Sequence, residues 1–226
     1  MKEYFKRQKE LFTEKENEKI KDLNVMIGGV GGLGTHQAQQ LQRIGVNKIY
    51  LYDYDKIEKS NLNRQIFYGS DDLNEYKVDV AKKYLQGFNL DTELITFKEK
   101  INSKMDIPED VQLVFDGLDN FESRYILEDL AIENNIPFVH GGTSSWYGQV
   151  VVIIPGETLR LKDIFKGVED RKNSPSVFSP VVSTVASVQV IEGLKVYLKK
   201  DDFLNNKLLL IDLMSYEIEK VNIAKD

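Results

Sequence analysis

The sequence predicts an α/β protein whose Rossmann-like, doubly wound and mostly parallel sheet is extended by antiparallel strands in the C-terminal part. Three observations lead there. Short apolar runs alternate with helical segments as far as His140, Gly29-Val30-Gly31-Gly32-Leu33-Gly34 stands between the first run and the first long helix, and a longer β-rich run begins at Gly148.

The elements follow in order. Residues 1–22 are dense in charge, yet Tyr4, Gln8 and Leu11, with Phe5 and Phe12, fall on neighbouring stripes at helical spacing, which predicts an amphipathic helix docked on another surface. Asn24-Val25-Met26-Ile27 reads as a buried strand, and a helix from about Leu33 to Ile44 ends at Gly45 as a C-cap. Lys48 to Asp53 is the second strand and 74–86 the second helix. Strands at Thr92–Phe97 and Gln112–Phe115 precede a helix at 121–134 and a strand at Pro137–His140. After the run Gly148–Pro155, the polar stretch Gly156–Ser179 reads as a crossover loop. A helix at Pro180–Leu198 and strands at Lys207–Leu213 and Tyr216–Val221 close the chain, with no internal repeat and no linker.

Composition narrows the function. The 226 residues are 42% hydrophobic and 29% charged, which suits a globular protein, and the formal charge of −6 argues against nonspecific nucleic-acid binding. No stretch approaches the ~20 apolar residues of a membrane span, and the charged N-terminus is unlike a signal peptide. These features predict a cytoplasmic protein with neither membrane nor nucleic acid as partner. With no cysteine and only His36 and His140, disulfides, thiolate zinc and a cysteine nucleophile are ruled out. Any metal should be a hard cation held by carboxylates and phosphates.

The glycine loop matches G-x-G-x-x-G in its required setting, and Asp53 ends the next strand, nineteen residues after Gly34. Glycines let the backbone approach phosphates, the helix start offers free N–H groups, and a carboxylate at the second strand's end accepts from ribose hydroxyls. The alternative is a glycine-rich turn used for packing. Asp53-Tyr54-Asp55 is then followed by Ser60-Asn61-Leu62-Asn63-Arg64-Gln65, by Lys77 at a helix start, and by Asp116-Gly117-Leu118-Asp119-Asn120 on the same carboxyl edge. These residues suit a triphosphate better than a hydride donor: Arg64 and Lys77 can neutralise phosphates while Asp119 holds Mg²⁺. Alone, Lys77 could be a solvated lysine and Asp119-Asn120 a helix N-cap.

Taken together, the motifs resemble the ThiF/MoeB/HesA family, prokaryotic relatives of ubiquitin-activating enzymes. The resemblance runs from Arg7-Gln8 to the Pro180-Val181-Val182 helix and includes Gly148-Gln149-Val150. It implies a single ThiF-type adenylation domain over 1–226, with 1–22 as N-terminal docking helix, 23–142 as nucleotide-binding half, and 143–226 as β-extension, crossover loop and C-terminal helix and strands. It implies ATP bound by Gly29, Gly31, Gly32, Gly34, Asp53, Asp55, Asn61, Arg64, Gln65 and Lys77, with Asp119 on Mg²⁺. The implied reaction is attack of a carboxylate on the α-phosphate, giving an acyl-adenylate and pyrophosphate, with Arg64, Lys77, Asp119 and Arg7 as catalytic residues. Family members are homodimers in which the residue matching Arg7 enters the partner's nucleotide site.

The departures matter equally. Where zinc-bearing members read Cys-x-x-Cys, this chain reads Leu159-Arg160-Leu161-Lys162, so no structural zinc is expected. Where many carry a catalytic cysteine, it reads Arg171-Lys172-Asn173-Ser174-Pro175-Ser176, so no enzyme thioester is expected. A compact, cysteine-free member also resembles the branch that activates the small-molecule carboxylate guanylylpyridinol in iron-hydrogenase cofactor biosynthesis, and the resemblance makes that carboxylate the favoured substrate. Trp146-Tyr147 could stack on such a planar ring or pack under the crossover loop. The alternatives are activation of the C-terminal glycine of a ubiquitin-like sulfur carrier protein and a non-catalytic nucleotide-binding partner subunit. A dehydrogenase ranks last.

Overall fold

The computed structural model describes residues 3–88, 90–168 and 176–223. Strands without apolar alternation are buried on both faces. So it is with β1 (Asn24–Gly28), β2 (Lys48–Tyr52) and β4 (Leu113–Asp116), whereas β3 (Glu93–Phe97) stands at an edge. They continue into β5 (Phe138–Ser144), β6 (Tyr147–Ile153), β7 (Lys207–Asp212) and β8 (Glu217–Asn222). The sheet has the order β3-β2-β1-β4-β5-β6-β7-β8. Pairings among β1 to β5 are parallel, and those from β5 onward to β8 are antiparallel. The expected mixed sheet is therefore present.

Helices cover both faces. Residues of α2 (Gly32–Ile44), α3 (Lys77–Gln86) and α6 (Ser179–Tyr197) pack with Val25 and Ile27 on one side. Residues of α4 (Phe121–Glu133) and the short α5 (Leu161–Ile164) pack with Met26, Phe138 and Val151 on the other. Successive side chains of a strand point to opposite faces, which is why Met26 and its neighbours divide between two cores. No helix among the described residues is long and apolar enough to cross a membrane.

Two expectations are corrected. The N-terminal stretch is two 3-10 turns, Glu3–Phe5 and Lys9–Leu11, followed by α1 (Glu14–Asp22), not one helix over 1–22. The break has a local cause: Thr13 Oγ1 accepts from Glu16 N and the Glu16 carboxylate accepts from Thr13 N, a capping box that starts a new helix after extended Phe12. Docking itself is present, since Phe5 packs against Gly45 and Gln8 Nε2 donates to the Ile44 carbonyl at 2.8 Å. The crossover stretch, read as loop throughout, contains α5. There Glu128 of α4 accepts from Leu161 N, and Arg160 bridges Glu128 and Asp129. The Arg171–Pro175 part of the expected catalytic-loop position lies outside the described residues.

Candidate active site

Parallel strands leave a crevice at their carboxyl ends where the winding reverses. Here β1 has β2 on one side and β4 on the other, and a cavity of about 1100 Å³ opens above them. Its nucleotide side is built by the glycine loop. Gly29 has φ +87°, and a Cβ there would stand 2.7 Å from the Gly117 carbonyl; one on Gly34 would meet the Gly29 carbonyl at 1.9 Å. Gly29 thus serves the turn and Gly34 the contact of helix with loop, while Gly29, Gly31 and Gly32 line the cavity. No side chain caps the start of α2, so its first N–H groups and its positive dipole end are available to an anion.

Asp53 follows β2 and closes the loop from beneath. Its Oδ2 accepts from Val30 N at 2.7 Å and its Oδ1 from Asp55 N at 2.8 Å. Burial pushes its pKa up, while Lys77 and the two backbone donors act in the other direction. Each oxygen keeps a lone pair for a ribose hydroxyl. Lys77, the first residue of α3, sends Nζ to Asp55 Oδ2 at 2.7 Å. Tyr68 holds the assembly from behind, its hydroxyl donating to the carbonyl of Val30 at 2.7 Å.

Arg64 stands over the start of α2, its Cγ 3.5 Å from where a Gly32 Cβ would be. One guanidinium nitrogen, Nη1, donates to Ser60 O and Asn63 Oδ1. Gln65 lines the same wall, and its buried Oε1 has no hydrogen-bond partner. Across the crevice, Asn120 caps α4 through Ser123 N, whereas Asp119 is exposed on the cavity and accepts from the Asn120 amide at 3.0 Å. The N-cap alternative therefore accounts for Asn120 and leaves Asp119 available to a cation. A single carboxylate suits Mg²⁺, which takes most of its ligands from phosphates and water. Among the described residues no group of three or more metal-ligating side chains is present.

Three expected residues are not on the cavity wall. Gly34 packs behind the loop. Asn61 is buried in a 3-10 turn, its Oδ1 accepting from Glu58 N. Arg7 is exposed and lies near the Phe5–Gly45 contact, at the far end of α2 from the glycine loop, roughly 20 Å away at 1.5 Å per residue. Trp146 packs edge-on against Phe178 at 4.7 Å, which is the loop-packing alternative, while Tyr147 lines the cavity.

Sequence reasoning missed Arg124. It stands four residues after Asn120, one helical turn on, and that spacing was the available signal. It also missed the buried group behind it. Asp116 Oδ2 lies 2.6 Å from His140 Nδ1 and 3.2 Å from Arg124 Nε. Burial lowers the pKa of His140, with the Asp116 carboxylate opposing. The neutral ring then donates from Nδ1 to Asp116 and accepts at Nε2 from Gln149, 3.4 Å away.

The chain is similar to known proteins in sequence and in fold. The model of the ThiF family matches residues 5–226. The chain is 31% identical over 206 residues to the SAMP-activating enzyme E1 of Haloferax volcanii, covering 87% of this chain and 75% of that protein. It is 31% identical over 221 residues to the sulfur carrier protein adenylyltransferase of Thermus thermophilus, covering 92% and 82%. Identity to the sulfur carrier protein ThiS adenylyltransferase of Bacillus subtilis is 32% over 184 residues, 78% of this chain but only 55% of that one. In fold, the structure resembles E. coli MccB solved with ATP, at a TM-score of 0.85 and 20% identity over the whole of this chain and 73% of that one.

Proposed function

This chain belongs to the ThiF family, and from that membership we infer that it is an adenylyltransferase that uses ATP to activate a carboxylate. The observation that carries the reading is the meeting, in one cavity, of the glycine loop, Asp53, Arg64, Lys77 and Asp119.

The chemistry follows from those residues. The loop N–H groups and Asp53 take the ribose and α-phosphate region, and Arg64 and Lys77 face the β- and γ-phosphates as fixed positive charge. Asp119 would hold Mg²⁺, whose charge would offset that of the triphosphate. A carboxylate oxygen attacks the α-phosphorus as its bond to the α–β bridging oxygen breaks. The products are acyl-adenylate and pyrophosphate, and no proton changes hands. Lys77 must exchange Asp55 for phosphate oxygens when ATP enters.

The carboxylate is that of a ubiquitin-like sulfur carrier's C-terminus, a reading supported by the sulfur-carrier relatives. A small-molecule carboxylate such as guanylylpyridinol is the second reading, favoured by the absence of cysteine. Trp146 gives it no support, being engaged with Phe178. Arg7, held at the far end of α2, acts on the site of a second copy, which makes the working unit a homodimer.

ATP–pyrophosphate exchange with carrier proteins ending in glycine and with small carboxylates tests the function. Exchange should appear only with the right carboxylate. Exchange with none of them, or binding of NAD in place of ATP, would overturn the assignment.

A further inference from the structure

Arg124 lies where the nucleotide side of the cavity meets the sheet floor formed by β5 and β6. Its Nη2 donates to the Leu118 carbonyl at 2.7 Å, in the loop that carries Asp119, and reaches the Gly141 carbonyl of β5 at 3.5 Å. Its Nε is turned to Asp116 Oδ2, and its guanidinium stands 5.4 Å from the centre of the Phe121 ring. The side chain is thus fixed from three sides. It is only 9% exposed, yet it lines the cavity.

The remaining nitrogen, Nη1, has no acceptor among the described residues and, unlike Nε, is not sealed from solvent. A desolvated guanidinium with one open, directed donor is completed by an anion. Arg64 and Lys77 already supply cations by the glycine loop, whereas Arg124 spans from the Leu118 carbonyl to the Gly141 carbonyl of β5, beside Gly142 and its cross-strand partner Gln149, which line the cavity.

We infer that Arg124 binds the carboxylate of the acyl substrate. This rests on the adenylation reading above and names the residue that orients the nucleophile. One carboxylate oxygen forms the bond to the α-phosphorus while the electron pair of the breaking P–O bond leaves with pyrophosphate. The other oxygen accepts from Nη1 and becomes the carbonyl oxygen of the acyl-adenylate, and Arg124 keeps its proton throughout.

Two ligands separate this role from phosphate binding: AMP, and 5′-O-(N-glycylsulfamoyl)adenosine, a stable mimic of an acyl-adenylate. By calorimetry Arg124→Lys, which keeps a positive charge beside Asp116, should bind the acyl mimic roughly ten- to a hundredfold more weakly, a charge-assisted hydrogen bond's worth, with AMP affinity nearly unchanged. Equal weakening of both ligands, or of neither, overturns the proposal. Should the variant misfold, a crystal structure of the wild-type protein with the mimic decides the same point: the acyl oxygen belongs within hydrogen-bond distance of the Arg124 guanidinium, and an oxygen turned elsewhere is fatal to the idea. Wild-type protein that binds neither ligand overturns the adenylation reading, and the Arg124 proposal with it.

Discussion

Lys77 is tied to Asp55 twice: its Nζ stands 2.7 Å from Asp55 Oδ2, and its backbone N–H donates to the Asp55 carbonyl at 3.0 Å. The main-chain bond fixes the start of α3 at the cavity, and the ion pair keeps the ammonium aimed there. The Lys77 side chain is 8% exposed, so a compact cation waits in a largely desolvated place.

Lys77→Met should therefore slow ATP–pyrophosphate exchange by about two orders of magnitude, the scale of losing one positioned charge. Asp55 is 46% exposed and rehydrates, so unfolding free energy should change by only about 1 kcal/mol. Urea melts alongside exchange rates make the check. Exchange within a few-fold of wild type would remove Lys77 from the chemistry.

Asp53 has a structural task beside its ligand role. Asp53→Ala leaves Val30 N and Asp55 N without acceptors and should destabilise the fold by about 1–3 kcal/mol as well as weaken AMP binding. Asp53→Asn retains one acceptor oxygen and should be milder in stability. Calorimetric AMP titrations that match wild type would contradict the ribose contact.

The parallel half of the fold was legible because its strands are uniform apolar runs and its turns carry glycine. The glycine loop, Asp53, Lys77 and Asp119 were legible because each follows a strand or opens a helix, so topology brings them to one edge, and Arg64 was legible from the Ser60–Gln65 motif that follows Asp55. Arg124 was not: its spacing from Asn120 gives only its place one turn into α4, and its contacts to Leu118 and Gly141 arise from the fold. Asn61 read as a ligand because the motif contains it, although its side chain caps a turn. The N-terminal stretch misled because apolar stripes at helical period outweighed Thr13 and Glu16, the stop and restart signal within it.

Acid should destabilise the protein through its histidines. Burial lowers the pKa of His36, whose Nε2 has no partner, and of His140. A lowered folded-state value means the unfolded chain takes up more protons. The stability involved is present above the ordinary value of about 6.5 and is lost as pH falls through the folded values. Asp53 and Glu128, raised by burial, act with the opposite sign, so a difference is the proper measure. His36→Gln should lose less stability than wild type between about pH 7.5 and 5.5 in urea melts. Parallel pH curves would show that His36 does not contribute.

The proposed homodimer can be tested by complementation. Arg7→Ala and Asp119→Ala should each be inactive, the second by at least about a hundredfold, without loss of fold, because Asp119 is exposed and its contact is with the neighbouring Asn120 amide, not with the core. Mixed at random, about half the dimers carry one site with both defects and one intact, so roughly a quarter of wild-type activity should return. No recovery, despite proven subunit exchange, would contradict a shared site.

Attack of a carboxylate oxygen on the α-phosphorus of ATP is the step on which every role proposed for this cavity depends, and isotope transfer probes it without intermediaries. With an ¹⁸O-labelled carboxylate that supports exchange, and hydroxylamine to capture the acyl group, mass spectrometry of the nucleotide product should find one ¹⁸O in AMP and none in pyrophosphate. Label in inorganic phosphate with ADP as the nucleotide product, or AMP without label, would contradict that attack.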